Sequence, residues 1–118
     1  MALMQNDPAR VSIAIARPFR RHLRALSKKY HHIRSDIQPI IEAIQSGECP
    51  GDRIPGTEYV VFKVRVRNRD IEKGKRSGYR LIYQVKTPTA VLLVTIYSKL
   101  DQADISASRI REIIIEEA

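Results

Sequence analysis

The spacing of hydrophobic positions changes along the chain, and each change predicts a different element. Residues 11–15 alternate large and small side chains, which predicts a short strand. Residues 19–30 then carry Phe, Leu, Leu and Tyr at helical spacing, behind a proline at position 18 that the first turn of a helix tolerates. Residues 37–44 repeat isoleucine at helical spacing, which predicts a second helix.

The beginning of this second helix is ambiguous in the sequence. Ser35 and Gln38 have the spacing of a capping box, and Gly47 is typical of a C-terminal stop. Pro39 would then lie in the first turn, where it fits poorly. The pattern therefore predicts either an earlier beginning or a distorted first turn.

Three further runs have the character of strands. Residues 59–67 alternate apolar and basic side chains, and residues 79–86 form a second run rich in apolar side chains. Residues 90–97 are apolar on both faces, which predicts an interior strand. Residues 48–56 predict a loop, and the polar residues 68–77 predict a hairpin loop.

A closing helix completes the predicted order. Either Asp104 or Ser106 can cap it, and its inward side chains are Ile110, Ile113 and Ile114. The order β-α-α-β-β-β-α predicts an α+β fold with a small, mainly antiparallel sheet and helices packed on one face.

The remaining features bound the class of protein. We expect residues 1–10 to be a flexible N-terminal leader and residues 11–118 to form one domain. No apolar run is long enough to span a bilayer, and no segment has the order of a signal peptide. We therefore expect no membrane partner. The single cysteine, Cys49, excludes an intrachain disulfide, and we predict a cytoplasmic protein.

Charge adds a candidate function to this outline. The chain has 21 Lys and Arg against 13 Asp and Glu, a net charge of +8. Residues 63–80 hold eight of the basic side chains and two acidic ones. Such a concentration is typical of a surface that binds phosphate.

The strand pattern arranges some of these cations. Alternation places Lys63, Arg65 and Arg67 on one side of a strand, about 6–7 Å apart. Arg80 can point to the same surface, and Lys99 ends the interior strand. This row suits an RNA backbone, because cations pair with phosphate. Nearby tyrosines either stack on bases or pack within the sheet; these are Tyr79, Tyr83 and Tyr97.

Other chemistries have weak support in the sequence. The adjacent His31 and His32 cannot share one face of a helix or strand, and Cys49 has no histidine nearby in sequence. The segment Lys73–Gly78 lacks the glycine spacing and the final Lys-Ser/Thr of a phosphate-binding loop. We therefore expect neither a metal nor a cofactor.

Three segments together resemble the RelE/ParE superfamily of toxins. They are the strand Phe62-Lys-Val-Arg-Val66, the block Lys73-Gly-Lys-Arg-Ser-Gly-Tyr-Arg-Leu-Ile-Tyr83, and Leu92-Leu-Val-Thr-Ile-Tyr-Ser-Lys99. The second and third resemble the HigB-like branch in particular. The resemblance implies a RelE-like microbial RNase fold and the toxin of a type II toxin–antitoxin system, which inhibits translation by cutting mRNA on the ribosome.

The resemblance also implies a chemistry and a set of residues. A ribose 2′-hydroxyl attacks the adjacent phosphate without a metal, leaving a 2′,3′-cyclic phosphate and a 5′-hydroxyl. The catalytic candidates are Lys63, Arg65, Arg80, Tyr97 and Lys99, and the candidates for RNA binding are Arg67, Lys73, Lys75, Arg76 and Tyr79. The implied partners are the ribosome, mRNA and a cognate antitoxin, for which we expect an acidic, amphipathic helical segment.

Two positions depart from the pattern of the family. Arg65 stands where many members carry a lysine as candidate base, and arginine hardly ever releases its proton. Ile105 lies about where a C-terminal tyrosine is expected. Two alternatives therefore stay open: a ParE-like toxin that binds DNA gyrase without nuclease activity, and a non-toxic nucleic-acid-binding domain.

Overall fold

The structure, a computed structural model, describes residues 10–71 and 78–118. Its order is β-α-α-β-β-β-β-α, with one short strand more than predicted. The elements are β1 Ser12–Ile15, α1 Arg17–Lys29, α2 Ile33–Gln45, β2 Asp52–Arg53, β3 Val61–Val66, β4 Tyr79–Thr87, β5 Ala90–Ser98 and α3 Ala107–Glu116. Within the described ranges, no helix has the length and apolar composition needed to cross a membrane.

The five strands form one mixed sheet in the order β1-β5-β4-β3-β2. Only the β1–β5 pair is parallel, and the other three pairs are antiparallel. The small α+β fold and the interior position of the apolar β5 are as predicted. The two-residue strand β2 lies inside the predicted loop, since it is too short to show a period in the sequence.

The helices cover both faces of the sheet, so the prediction of a single covered face is wrong. Phe19 of α1 and Ile37 of α2 pack with one side of the sheet, whereas Ile110 and Ile113 of α3 pack with the other. The reason lies in β4, where consecutive side chains such as Leu81 and Ile82 are both fully buried. A sheet that is apolar on both faces needs cover on both.

Both helix beginnings that the sequence left open are decided by the structure. Helix α2 begins at Ile33, before Ser35, so Ser35 and Gln38 do not form a capping box and Pro39 lies inside the helix. Ile33 is fully buried and extends the isoleucine stripe by one turn, which explains the earlier beginning. Helix α3 is capped by Ser106, whose Oγ accepts a hydrogen bond from the Arg109 backbone N–H at 3.1 Å.

The first residues of the predicted hairpin loop are held against the beginning of α2. The carboxylate of Asp36, which is 2% exposed, accepts hydrogen bonds from the Nε of Arg69 at 2.6 Å and from its backbone N–H at 3.0 Å. Asp70 in turn accepts a hydrogen bond from the His32 backbone N–H at 2.9 Å, which lowers the pKa of that carboxyl. These contacts fix the point at which the chain leaves β3.

Candidate functional site

Two arginines and a tyrosine form a row across the three interior strands of the sheet, on the face that α3 covers. Arg65 of β3 is the register partner of Arg80 of β4, and Arg80 is the partner of Tyr97 of β5. Paired residues in adjacent strands share a face, so the three side chains leave the sheet on the same side. Lys63, two residues before Arg65, lies on this side as well.

An irregularity in β5 brings Tyr97 to that face. The register shifts between Ile82 and Tyr83, whose partners are Thr95 and Leu93, so β5 contains an extra residue there. Without the extra residue, Tyr97 would share a face with Leu93, which packs with the α1 and α2 side. Tyr97 instead packs with the isoleucines of α3. The bulge therefore places the tyrosine beside Arg80.

The row borders an open cleft of about 460 Å³. Its lining comes from the loop before β2, from β2, β3 and β4, and from the segment between β5 and α3. The lining residues are Gly51, Asp52, Lys63, Val64, Arg65, Arg80, Lys99 and Asp104. Four of these eight are basic, so the cleft presents several cations to one shared space.

Arg80 is the most buried cation of the cleft, with 6% of its surface exposed. Burial lowers the pKa of its guanidinium, and the neighbouring positive charge of Arg65 lowers it further. Its Nη1 donates to the carbonyl oxygen of Tyr79 at 3.2 Å. Among the described residues, no carboxylate lies within 4 Å of Arg80 or Arg65. An anion entering the cleft would therefore meet two guanidinium groups not already neutralised by those residues.

Asp104 is one of two acidic residues that line the cleft, with Asp52. Its Oδ1 lies 3.5 Å from the Nζ of Lys63 and 3.5 Å from the Nζ of Lys99. Partial burial raises the pKa of this carboxyl, but the attraction of the two lysines and the hydrogen bonds outweigh it, so the pKa is lowered overall. Asp104 therefore links β3 to the end of β5 while remaining an exposed, anionic group.

Tyr97 is hydrogen-bonded to Asp104. Its hydroxyl donates to Oδ1 of Asp104 at 3.2 Å, and the residue is 4% exposed. Burial, followed by the negative charge of Asp104, raises the pKa of the Tyr97 hydroxyl to about 12. The phenol therefore keeps its proton at neutral pH and can act as a hydrogen-bond donor.

Gly51 allows the loop to approach the floor of the cleft. Its φ is +97°, and a Cβ at this position would lie 2.3 Å from the carbonyl oxygen of Lys63. Any side chain would collide with the backbone of β3, so the approach requires glycine. The loop brings Asp52 into register with Lys63 as the first residue of β2.

The structure brings together all five residues predicted as catalytic: Lys63, Arg65, Arg80, Tyr97 and Lys99. Arg67, predicted to bind RNA, is exposed just beyond the end of β3 and does not line the cleft. Lys73, Lys75 and Arg76, also predicted to bind RNA, lie outside the described residues.

Tyr79 is the clear correction among the predicted RNA-binding residues. It is fully buried in the cluster with α1 and α2, on the face opposite Arg80, and its ring packs edge-on against Tyr30 with centroids 5.8 Å apart. A side chain in that position cannot stack on a base. Tyr83 is buried too, stacked on Phe62 at 5.4 Å. Of the three candidate tyrosines, Tyr79, Tyr83 and Tyr97, only Tyr97 lies beside the cleft, where it contacts Asp104.

The cleft also contains residues that the sequence did not single out for chemistry. The sequence pattern indicates only a cap for α3 at Asp104, and only a loop at Gly51 and Asp52. Nothing in their spacing connects them to Lys63, since the contacts join segments far apart in the chain. The two aspartates at positions 101 and 104, shortly after Lys99, are the one local signal that points to an ion pair.

Among the described residues, no three His, Cys, Asp or Glu side chains are grouped as a metal site would require. Comparison of the sequence with models of known protein families found no match, and comparison with curated proteins found none either.

Proposed function

We propose that this chain is the toxin of a type II toxin–antitoxin system, a ribosome-dependent mRNA endoribonuclease of RelE-like fold. The observation that carries the proposal is the buried Arg80, register-paired with Arg65 at the floor of a cleft and without a carboxylate partner among the described residues. Burying a cation beside another cation is costly unless an anion joins them. The phosphate of an RNA chain supplies that anion.

The proposed reaction transfers the phosphorus from one oxygen of the RNA to another. The 2′ oxygen forms a bond to phosphorus and the bond from phosphorus to the 5′ oxygen breaks, giving a 2′,3′-cyclic phosphate and a 5′-hydroxyl. Arg80 and Arg65 stabilise the charge that develops on the phosphorane oxygens, as fixed cations do in a site arranged beforehand. No cofactor takes part in this scheme.

Proton transfer in this scheme uses other groups of the cleft. The 2′-hydroxyl must lose a proton and the leaving 5′ oxygen must gain one. Arg65 is unsuited to either step. Asp52 and Asp104 both line the cleft and carry oxygens that can accept a proton. Lys63, Lys99 and the Tyr97 hydroxyl can donate one, and the last is already a donor to Asp104.

The proposed partners follow from the charge of the cleft. An antitoxin that covers it should present acidic side chains on an amphipathic helix, because complementary charge speeds association and fixes register. The ribosome would hold the message so that one phosphate reaches Arg80. Charge reversal at Lys63 and Arg65 is then expected to weaken antitoxin binding.

Induction of the chain in bacteria, followed by mapping of mRNA 5′ ends, tests the proposal. We expect cuts in phase with codons that vanish in Arg80→Ala. A DNA damage response without cuts would instead indicate the gyrase-binding alternative. Absence of any effect from a folded, expressed chain would indicate the non-toxic nucleic-acid-binding domain.

A further inference from the structure

Helix α1 carries a second concentration of positive charge, separate from the cleft. It contains six basic side chains and no acidic one in 13 residues. We propose that α1 presents a docking surface for the phosphate backbone of structured, double-stranded RNA. This inference goes beyond the proposed cleavage activity and does not depend on it.

Helical geometry gathers five of these cations on one stripe. They begin at Arg17, and the other four follow three, four, seven and eleven residues later. This spacing corresponds to an arc of about 100° around the helix axis. The stripe is about 16 Å long, since each residue advances the helix by about 1.5 Å. Its members, all exposed, are Arg17, Arg20, Arg21, Arg24 and Lys28.

The stripe faces away from the core. Phe19 is buried and Leu23 and Leu26 pack against the core, which turns the opposite side of α1 to solvent. Lys29 lies off the stripe and is engaged with Asp101 at 3.4 Å. None of the five stripe residues lines the cleft. The two basic surfaces are therefore distinct.

Contacts around the stripe leave its charge largely uncompensated. Among the described residues, no salt bridge joins any of its five members to a carboxylate. Glu117 accepts a hydrogen bond at 3.1 Å from the backbone N–H of Arg17, not from its side chain. The positive charge of the stripe also affects His22. Burial is the largest cause that lowers the pKa of its imidazole, and the charges of Arg21 and Arg109 lower it further.

The composition of the stripe favours a nucleic-acid backbone over an acidic peptide. Four of the five cations are arginines, whose planar fork pairs with two phosphate oxygens at once. A peptide partner would also need apolar anchors, and the described large apolar side chains with the greatest exposure, Leu100 and Ile115, lie outside α1. A row of cations about 16 Å long suits the repeated negative charges of an RNA duplex.

Fluorescence anisotropy with a labelled RNA duplex of about 20 base pairs tests this surface on the full-length protein. The test variant is Arg20→Glu with Arg24→Glu, and the matched control is Arg53→Glu with Lys86→Glu, which changes the net charge equally at exposed sites off α1. We expect affinity to fall at least about tenfold in the test variant and at most about threefold in the control. The slope of log K against log salt should also become shallower only in the test variant.

A conservative variant, Arg20→Lys with Arg24→Lys, should restore most of the binding, and circular dichroism establishes that each variant is folded. Equal losses in the test and control variants would overturn the proposal, because the binding would then follow net charge alone. Binding of a poly-glutamate peptide in preference to the duplex, lost in the same test variant, would overturn it as well. Message cleavage is measured separately, so loss of duplex binding with intact Arg80-dependent cutting separates this surface from the proposed nuclease.

Discussion

Arg65 and Arg80 lie directly opposite each other in the antiparallel pair of β3 and β4, with their side chains on the same face. Like charges in this relationship are destabilising, and the burial of Arg80 adds to the cost. The arrangement is poor for stability and well suited to holding an anion between two guanidinium groups. A site that lowers stability in the free protein is a mark of function rather than of packing.

This relationship predicts opposite effects of one substitution on stability and on activity. Arg80→Met removes the buried cation but keeps an unbranched side chain, so the free energy of unfolding should rise by about 0.5–1 kcal/mol. Cleavage should fall by about 10²–10³-fold, as when a single electrostatic stabiliser of a transition state is lost. Urea denaturation and message cleavage measure the two effects on the same preparation. A variant that is less stable and equally active would contradict this account of Arg80.

Removal of the Asp104 carboxylate should free Lys63 and Lys99 to bind another anion. The Asp104 carboxylate occupies the side of the cleft where Lys63 and Lys99 converge, so it competes with any other anion. We expect Asp104→Asn to bind inorganic phosphate more tightly than the unaltered protein, with the thermal midpoint rising further at equal phosphate concentration. Asp104→Glu keeps the charge and serves as control. Weaker phosphate binding by Asp104→Asn would mean that the carboxylate positions the lysines instead of competing with the ligand.

The same carboxylate should contribute a pH-dependent share of stability. Its pKa in the folded protein is below the ordinary value of 3.8. Its contribution is therefore fully present above the unfolded-state pKa and is lost as pH falls through the lower folded-state pKa. The difference in unfolding free energy between the unaltered protein and Asp104→Asn should shrink between about pH 6 and about pH 2.5.

Lys63→Met provides the control for this pH effect. With one lysine partner absent, the pH-dependent difference caused by Asp104→Asn should become smaller. A difference that stays constant with pH in both backgrounds would show that the ion pairs of Asp104 do not affect folding.

Gly51 and Gly56 offer a matched test of the close approach at the cleft. Both have positive φ, +97° and +87°, so alanine pays a conformational penalty of about 1 kcal/mol at either position. Only at Gly51 does a Cβ meet backbone, whereas at Gly56 its nearest neighbour is the Ala107 Cβ at 3.8 Å. We expect Gly51→Ala to lower the unfolding free energy more and to reduce phosphate binding. Equal losses of stability in the two variants would mean that the loop moves aside easily.

Much of the fold was predictable because its signals are local. The isoleucine stripe of α2, the alternation in β3 and the doubly apolar β5 each lie within one short segment. The position of α3 was not predictable in this way. Which face a terminal helix covers depends on the long-range pairing of the strands, which no local pattern specifies.

For the site, the charges were predictable and the geometry was not. The alternation of Lys63 and Arg65 placed both on one face without any structure. Tyr97 reaches that face only through the bulge opposite Ile82, which has no signature in the sequence. Tyr79 lies in the core, because consecutive residues of a strand point to opposite faces and its neighbour Arg80 points to the cleft. Asp104 enters from a loop whose path the pattern does not specify.

Purified protein and ribosomes carrying a defined message test the role of Arg80 in cleavage. The unaltered protein should cut the message to leave a 2′,3′-cyclic phosphate and a 5′-hydroxyl, and a message with one 2′-deoxynucleotide at the cut position should stay intact there. Arg80→Ala should cut about 10²–10³-fold more slowly, whereas the surface control Lys86→Ala should cut at the normal rate. Cleavage of the 2′-deoxy message, or full activity in Arg80→Ala, would contradict the account.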